Sequence, residues 1–177
     1  MFAVSTSGMG VIHELSFQDV KRRQAVENAF KYDDPYDVIL ALDTLTYEKG
    51  ERLGVKFGQL SHSEWMVFHV LWFDCEVANS GFFQLFFNPT GDYALDMLDT
   101  LDTIGAENTA ALLRQALAIF PSGQPARDHH ERLAQLKQIT PEQNDLLHAL
   151  DEAYCNQDEY IFELAAAYLH ARKTDFI

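Results

Sequence analysis

Wound as a helix, residues 65–77 show apolar side chains on nearly every side. A helix of that kind has no face to offer water and has to be enclosed by other elements. Ser61 and Glu64 stand in front of it in the S-x-x-E capping pattern, which predicts where it starts. The longest apolar run, residues 65–73 with His69 inside it, spans about 14 Å as a helix, under half of a bilayer core of roughly 30 Å. The segment therefore reads as the central helix of a packed core and not as a membrane span. The composition can supply the enclosure: 47% of the 177 residues are apolar, with 13 Phe, 7 Tyr and 2 Trp among them. A chain of this size buries about 70% of its unfolded surface, so it needs no disulfide or metal staple. Cys75 and Cys155 form no CxxC and read as reduced thiols.

Helix signals run along the rest of the chain. Ser16, with Asp19 three residues on, predicts a first helix; Asp33 or Asp34, followed by Pro35, predicts a second. Residues 48–60 contain Gly50, Gly54 and Gly58 and read as a loop. Asn79-Ser80-Gly81 is a stop signal. Residues 82–87 would suit a strand by composition, but they read as a short helix ended by Asn88-Pro89. Helices are predicted over residues 92–105 and 106–120, then a linker over 121–127 and a short polar helix over 128–138. Thr140-Pro141-Glu142-Gln143 is a strong start for residues 142–154, and Asn156 is placed as the cap of a last helix over 157–172. The expected fold is all-α: a single-domain multi-helix bundle of about seven to nine helices over residues 16–177, behind a flexible N-terminal tail at residues 1–15. That tail has no Lys, no Arg and no continuous apolar stretch, so it does not read as a signal peptide, and the expected location is the cytoplasm.

The formal net charge is −14, and it is unevenly distributed. Residues 57–113 hold 8 acids and no Lys or Arg; residues 138–171 hold 7 acids and again no Lys or Arg. The basic surplus sits between them, with 4 bases against 2 acids over residues 114–137. Surface helices ordinarily place Lys four residues from Glu, which stabilises them by a few tenths of a kcal/mol; both acidic segments forgo this. On a helix from Asp92, the residues Asp92, Asp96, Asp99 and Asp102 fall within an arc of about 120°. Asp151, Glu152, Asp158, Glu159 and Glu163 continue the theme, the last two as a like-charge i, i+4 pair. Acidity of this kind serves solubility. It also suits a basic surface on another protein, and a DNA-binding protein owns such a surface. Direct binding to nucleic acid or to anionic lipid is disfavoured, since this surface repels phosphate.

Motifs for chemistry are missing. There is no GxGxxG, P-loop, GxSxG or HExxH. His129-His130-Glu131 is the only local cluster of ligand-type residues, and adjacent helical residues diverge by about 100°. His148 and Glu152 can meet on one face, yet two ligands make no metal site. No metal, no cofactor and no catalytic residue is expected. His69 reads as a core histidine.

One stretch carries a resemblance: Glu76, Asn79, Ser80, Gly81, Phe82, Gln84, Phe86, Phe87, Asn88 and Gly91, then Ile104-Gly105-Ala106. It resembles the bacterial acidic DNA-mimic protein family, and in length and acidity its neisserial member. Ser80 replaces the family's usual first Gly, and Leu85 precedes the Phe pair. The likeness is most specific over residues 65–120. It implies an all-α homodimer without enzymatic activity that occupies the DNA-binding face of a helix-turn-helix transcription regulator. Asn79, Gly81, Phe82 and Gln84 are expected to be structural: the two amides satisfy backbone groups at a bend, Gly81 supplies a positive φ, and the phenylalanines fill the core. The acids are expected to do the mimicry. Asp92, Asp96, Asp99, Asp102 and Glu107 in the first segment, with Asp145, Asp151, Glu152, Asp158, Glu159 and Glu163 in the second, each stand in for a phosphate towards Arg or Lys. Two rival readings remain open. One is an enzyme or small-molecule binder with a pocket at the bend, lined by Asn79, Gln84, His69 and Glu76. The other is a general acidic inhibitor of a basic protein.

Overall fold

The structure, a computed structural model, describes residues 17–53 and 57–177. The expected tail at residues 1–15, the start at Ser16 and Gly54 of the expected loop lie outside them. Eight helices are present among the described residues: α1 (Phe17–Ala29), α2 (Pro35–Leu53), α3 (His62–Phe87), α4 (Ala94–Ile104), α5 (Glu107–Leu117), α6 (His129–Leu136), α7 (Pro141–Asn156) and α8 (Ile161–His170). Short 3-10 turns occupy Phe57–Gln59, Pro89–Tyr93, Pro121–Gly123 and Lys173–Phe176, and the described residues include no strand. The fold is all-α. No helix among these residues is long and apolar enough to cross a membrane.

The organising element is α3, which packs against α2, α4, α6, α7 and α8. Met66, Val67, Phe68, His69 and Val70 point round the helix and are all buried. This first part has the enclosure that the apolar segment requires; further on only the face carrying Phe73 and Val77 stays buried, and Cys75 is exposed. The Ser61/Glu64 capping box forms as expected, and so does the Thr140/Gln143 box with Pro141 in the first turn of α7.

Several expected boundaries are corrected. Residues 48–53, expected in a loop, continue α2, and Phe57–Gln59 is a 3-10 turn. A glycine inside a helix costs roughly 1 kcal/mol relative to Ala. A contact next to Gly50 offsets this: Lys49 Nζ lies 2.7 Å from the buried Glu64 Oε1. Asp92 falls in the 3-10 turn and not in a helix, since α4 starts at Ala94. The last helix begins at Ile161 and not at residue 157, so Asp158 and Glu159 belong to the α7–α8 link. The Glu159–Glu163 repulsion expected of one continuous helix is thereby removed.

Glu64 does more than cap. Its carboxylate is completely buried, accepts from the Ser61 N–H (2.8 Å) and from Lys49, and lies 3.4 Å from Arg22 Nη2. Arg22 in turn donates to the Phe176 and Leu45 carbonyls. One buried acid thus ties α1, α2, α3 and the C-terminal turn together. Breaking such a cluster leaves an uncompensated buried charge, which is why its members act as a unit.

The bend at Gly81 divides α3. Gly81 has φ +82° and ψ 175°, a conformation open essentially to glycine alone. The Asp151 carboxylate from α7 sits against this point and accepts from the Phe82 N–H (2.8 Å), which caps the second half of α3. A Cβ at position 81 would run into the Asp151 carboxylate. Gly81→Ala therefore adds backbone strain of about 1–3 kcal/mol and also expels the Asp151 cap. A lowered urea midpoint is expected, worth about 3 kcal/mol in all.

Candidate functional site

The acids of the two base-free segments separate into engaged and free groups. In the first segment, three of the four aspartates of the expected arc pair with arginines that the intervening basic segment folds back over them. Asp92 Oδ1 lies 2.7 Å from Arg132 Nη2, Asp96 Oδ2 lies 2.9 Å from Arg127 Nη1, and Asp102 Oδ2 accepts from Arg114 Nη2 at 2.6 Å. The ion pairs forgone within the helices are thus made between elements. Asp99 and Glu107 stay exposed, and among the described residues no cation pairs with either.

In the second segment, two acids hold the fold. Asp151 caps the bend at Gly81. Glu159 accepts from the Asn108 and Thr109 N–H groups (3.0 and 2.8 Å) and from the Thr109 hydroxyl (2.6 Å), so it caps the N-terminus of α5 from the α7–α8 link. A carboxylate is well placed there, against the positive end of the helix dipole. Asp145, Glu152, Asp158 and Glu163 are exposed, with no cation partner among the described residues. Asp145 and Glu152 are seven residues apart on α7, so they project along one stripe of the helix, separated by about 10.5 Å. The link that Glu159 anchors carries Asp158 to the same end of the bundle as Glu107.

The motif residues have structural partners. Phe82 and Phe86 are fully buried, as expected; Phe87 is exposed. The Asn79 side-chain amide donates to the Cys75 carbonyl (2.6 Å), a backbone group as expected. Gln84 differs: its amide donates to the Asn88 side chain (2.7 Å), and Asn88 donates to Glu76 Oε2 (2.8 Å). Glu76 also accepts from the Thr90 hydroxyl (2.7 Å). This chain of contacts latches the two halves of α3 to each other.

Sequence reasoning missed Arg132. It lies on the short polar helix α6, yet it is completely buried. Its guanidinium donates to the carbonyls of Phe86 (2.8 Å), Asn88 (3.0 Å), Ala126 (2.8 Å) and Arg127 (3.2 Å), besides pairing with Asp92. Gly91 leaves the room for it, since a Cβ there would stand 2.9 Å from Arg132 Nε and 2.7 Å from the Leu85 carbonyl oxygen.

Of the four residues expected to line a pocket at the bend, Gln84 and Glu76 meet through Asn88, while Asn79 bonds the Cys75 carbonyl and His69 joins neither. A cavity of about 320 Å³ lies between α3 and α4, and of those four only His69 lines it. Its other walls are His62, Trp65, Tyr93, Asp96, Asp99, Thr100 and Arg127. His69 Nδ1 lies 2.8 Å from the Thr100 hydroxyl oxygen. Burial pushes the His69 imidazole down to about 4, against 6.5 in an unfolded chain. The unfolded state therefore takes up this proton first, and stability falls as the pH drops from 6.5 towards 4. His69 accounts for about 3 kcal/mol of that fall. A His69→Gln variant, which can still reach Thr100, is expected to lose about 3 kcal/mol less than the parent between pH 7 and pH 4 in urea unfolding.

A family model described as DMP19-like protein matches residues 58–172, well over half of the chain. The match covers both base-free acidic segments almost completely, together with α3 and its bend. No curated protein and no solved structure matches the chain.

Proposed function

We propose, because the chain belongs to the DMP19-like protein family, that it is a DNA mimic: it occupies the DNA-binding surface of a bacterial helix-turn-helix transcription regulator and prevents that regulator from binding its operator. In this reading it works in the cytoplasm as a homodimer, with residues 16–177 as one domain. It has no catalytic, cofactor, metal, nucleic-acid or membrane role of its own.

The observation that carries the reading is the set of uncompensated acids on α7, the α7–α8 link and α8. Residues 138–171 contain no Lys or Arg, and Asp145, Glu152, Asp158 and Glu163 are exposed without a cation partner among the described residues. Exposed carboxylates that the fold leaves unpaired are available to the arginines and lysines that hold DNA phosphates. The separation of Asp145 and Glu152 along α7 equals the rise along the duplex axis of roughly three base pairs at about 3.4 Å each. Asp99 and Glu107 extend the set. Asp96 and Asp102 remain partly exposed, and surface pairs of that kind contribute only about 0–1 kcal/mol. An incoming arginine can therefore replace Arg127 or Arg114. Asp92, Asp151 and Glu159 contribute to the field while their contacts hold the fold.

The test is capture from cytosol with this protein as bait, washed first at low and then at high salt. Recovery of a helix-turn-helix regulator that high salt releases is expected, since mimicry of phosphate weakens steeply with ionic strength. A salt-resistant partner without a DNA-binding role would contradict the reading.

A further inference from the structure

The cavity between α3 and α4 has a wall chemistry that the mimic surface does not require. Its floor is His69 and Thr100, bonded to each other and 8% and 2% exposed. Its rim is His62, Asp99 and Arg127, all exposed. Between them stand Trp65 and Tyr93, with ring centroids 5.4 Å apart and planes inclined by 35°. Aromatic rings attract cations, Trp most strongly, and a carboxylate beside them strengthens the attraction. Asp96 already pairs with Arg127, whereas Asp99, three residues on, carries a carboxylate that no cation among the described residues meets. Among the described residues that line the cavity, two carboxylates, Asp96 and Asp99, face a single guanidinium, that of Arg127. His69 Nε2, more than nine-tenths buried with its ring, also has no hydrogen-bond partner among the described residues. The volume lies at the lower end of ligand sites, roughly 300 Å³ and upwards. The cavity is therefore small, aromatic-walled and short of one positive charge. A planar, weakly hydrated guanidinium on an apolar stem fits that description better than a compact, strongly hydrated ammonium.

We infer that this cavity is a guanidinium site, in which Trp65, Tyr93 and Asp99 receive one arginine side chain of the protein partner. The source of that arginine, the bound regulator, rests on the mimic reading; the cavity's preference for a guanidinium does not. The site anchors one residue in a defined place, whereas the exposed acids act as a field. It thus gives the surface a means of choosing among basic partners, because a partner without an arginine at that position leaves the cavity's charge uncompensated.

The probe is N-acetyl-L-argininamide, which presents the side chain as a protein does, titrated into the full chain and followed by tryptophan fluorescence and by the NMR signals of Trp65, His69 and Tyr93. Saturable changes at those residues are expected. The citrulline counterpart, which lacks the charge, is expected to bind at least tenfold more weakly, as is the arginine probe to Asp99→Asn. Asp145→Asn and Glu107→Gln, on exposed acids elsewhere, are expected to leave the affinity within twofold. Absence of saturation, equal binding of the citrulline compound, or equal losses for Asp145→Asn and Asp99→Asn would each overturn the site. Free L-arginine binding tenfold more tightly than the blocked form would overturn its assignment to a protein side chain. No partner is present in this titration, so its failure removes the cavity's role and leaves the mimic reading intact. Failure of the capture experiment removes the mimic reading and leaves the measured preference of the cavity unchanged.

Discussion

Arg132→Met is expected to destabilise the protein by about 3–5 kcal/mol, the range for removing one partner from a buried ionic cluster. The methionine is long enough to fill much of the space, so loss of volume is not the main effect. The cost lies in what is left behind. The carbonyls of Phe86, Asn88, Ala126 and Arg127 lose their donor, and Asp92 loses its guanidinium. Carbonyls stripped of a buried partner cost about 1–3 kcal/mol each where water cannot replace it, and some of these sites relax towards solvent. For a chain of this length the loss corresponds to a fall in Tm of roughly 10 °C. Arg132→Lys is expected to recover only part of it, because an ammonium cannot present the planar fork that reaches carbonyls on two segments. A loss below about 1 kcal/mol for Arg132→Met, in the range of an ordinary surface substitution, would mean that Arg132 is not the clasp described here.

The second large effect concerns binding. Reversing Asp145 and Glu152 together to lysine is expected to weaken capture of the regulator at least 100-fold, about 2.7 kcal/mol. The two residues share one stripe of α7, so the substitution replaces two adjacent attractions with two repulsions against a basic surface. Both side chains are exposed and neither pairs with a described cation, so helix content by circular dichroism should be unchanged and stability should move by no more than about 0.5 kcal/mol. The same reversal at Asp151 would not be interpretable, because Asp151 caps the second half of α3. Binding within threefold of the parent would remove α7 from the contact surface.

The features legible in the sequence are local ones. Ser61 with Glu64, and Thr140 with Gln143, announce their helices because both partners of a capping box lie within four residues. Gly81 marks the break in α3 because only glycine adopts that backbone, and the apolar periodicity of residues 65–77 placed α3 at the centre. What could not be read depends on distance along the chain. The pairing of the acidic arc with Arg114, Arg127 and Arg132 spans 12 residues at the least, and the seat of Asp151 on Phe82 spans 69. No pattern of charge within one helix predicts such contacts. Glu159 and Asp151 looked like any other acid in a base-free run, yet each is committed to a helix N-terminus. Arg132 was misleading because a charged residue on a polar helix reads as solvated. Its one sequence signal was Gly91, placed where the guanidinium passes close to the backbone. Of the eleven acids assigned to the mimic surface, Asp99, Glu107, Asp145, Glu152, Asp158 and Glu163 keep exposed carboxylates that no cation among the described residues meets, and the proposed binding surface is accordingly centred on them.

The central claim is that this protein and an operator compete for one surface. The most direct measurement takes the captured regulator, purified, on its fluorescently labelled operator duplex, and adds this protein at fixed ionic strength. Mutual exclusion is predicted: the regulator leaves the DNA as this protein is added, its apparent affinity for this protein falls in proportion to the free operator, and no ternary complex forms. A stable ternary complex, with the operator still bound at saturating levels of this protein, would contradict the account.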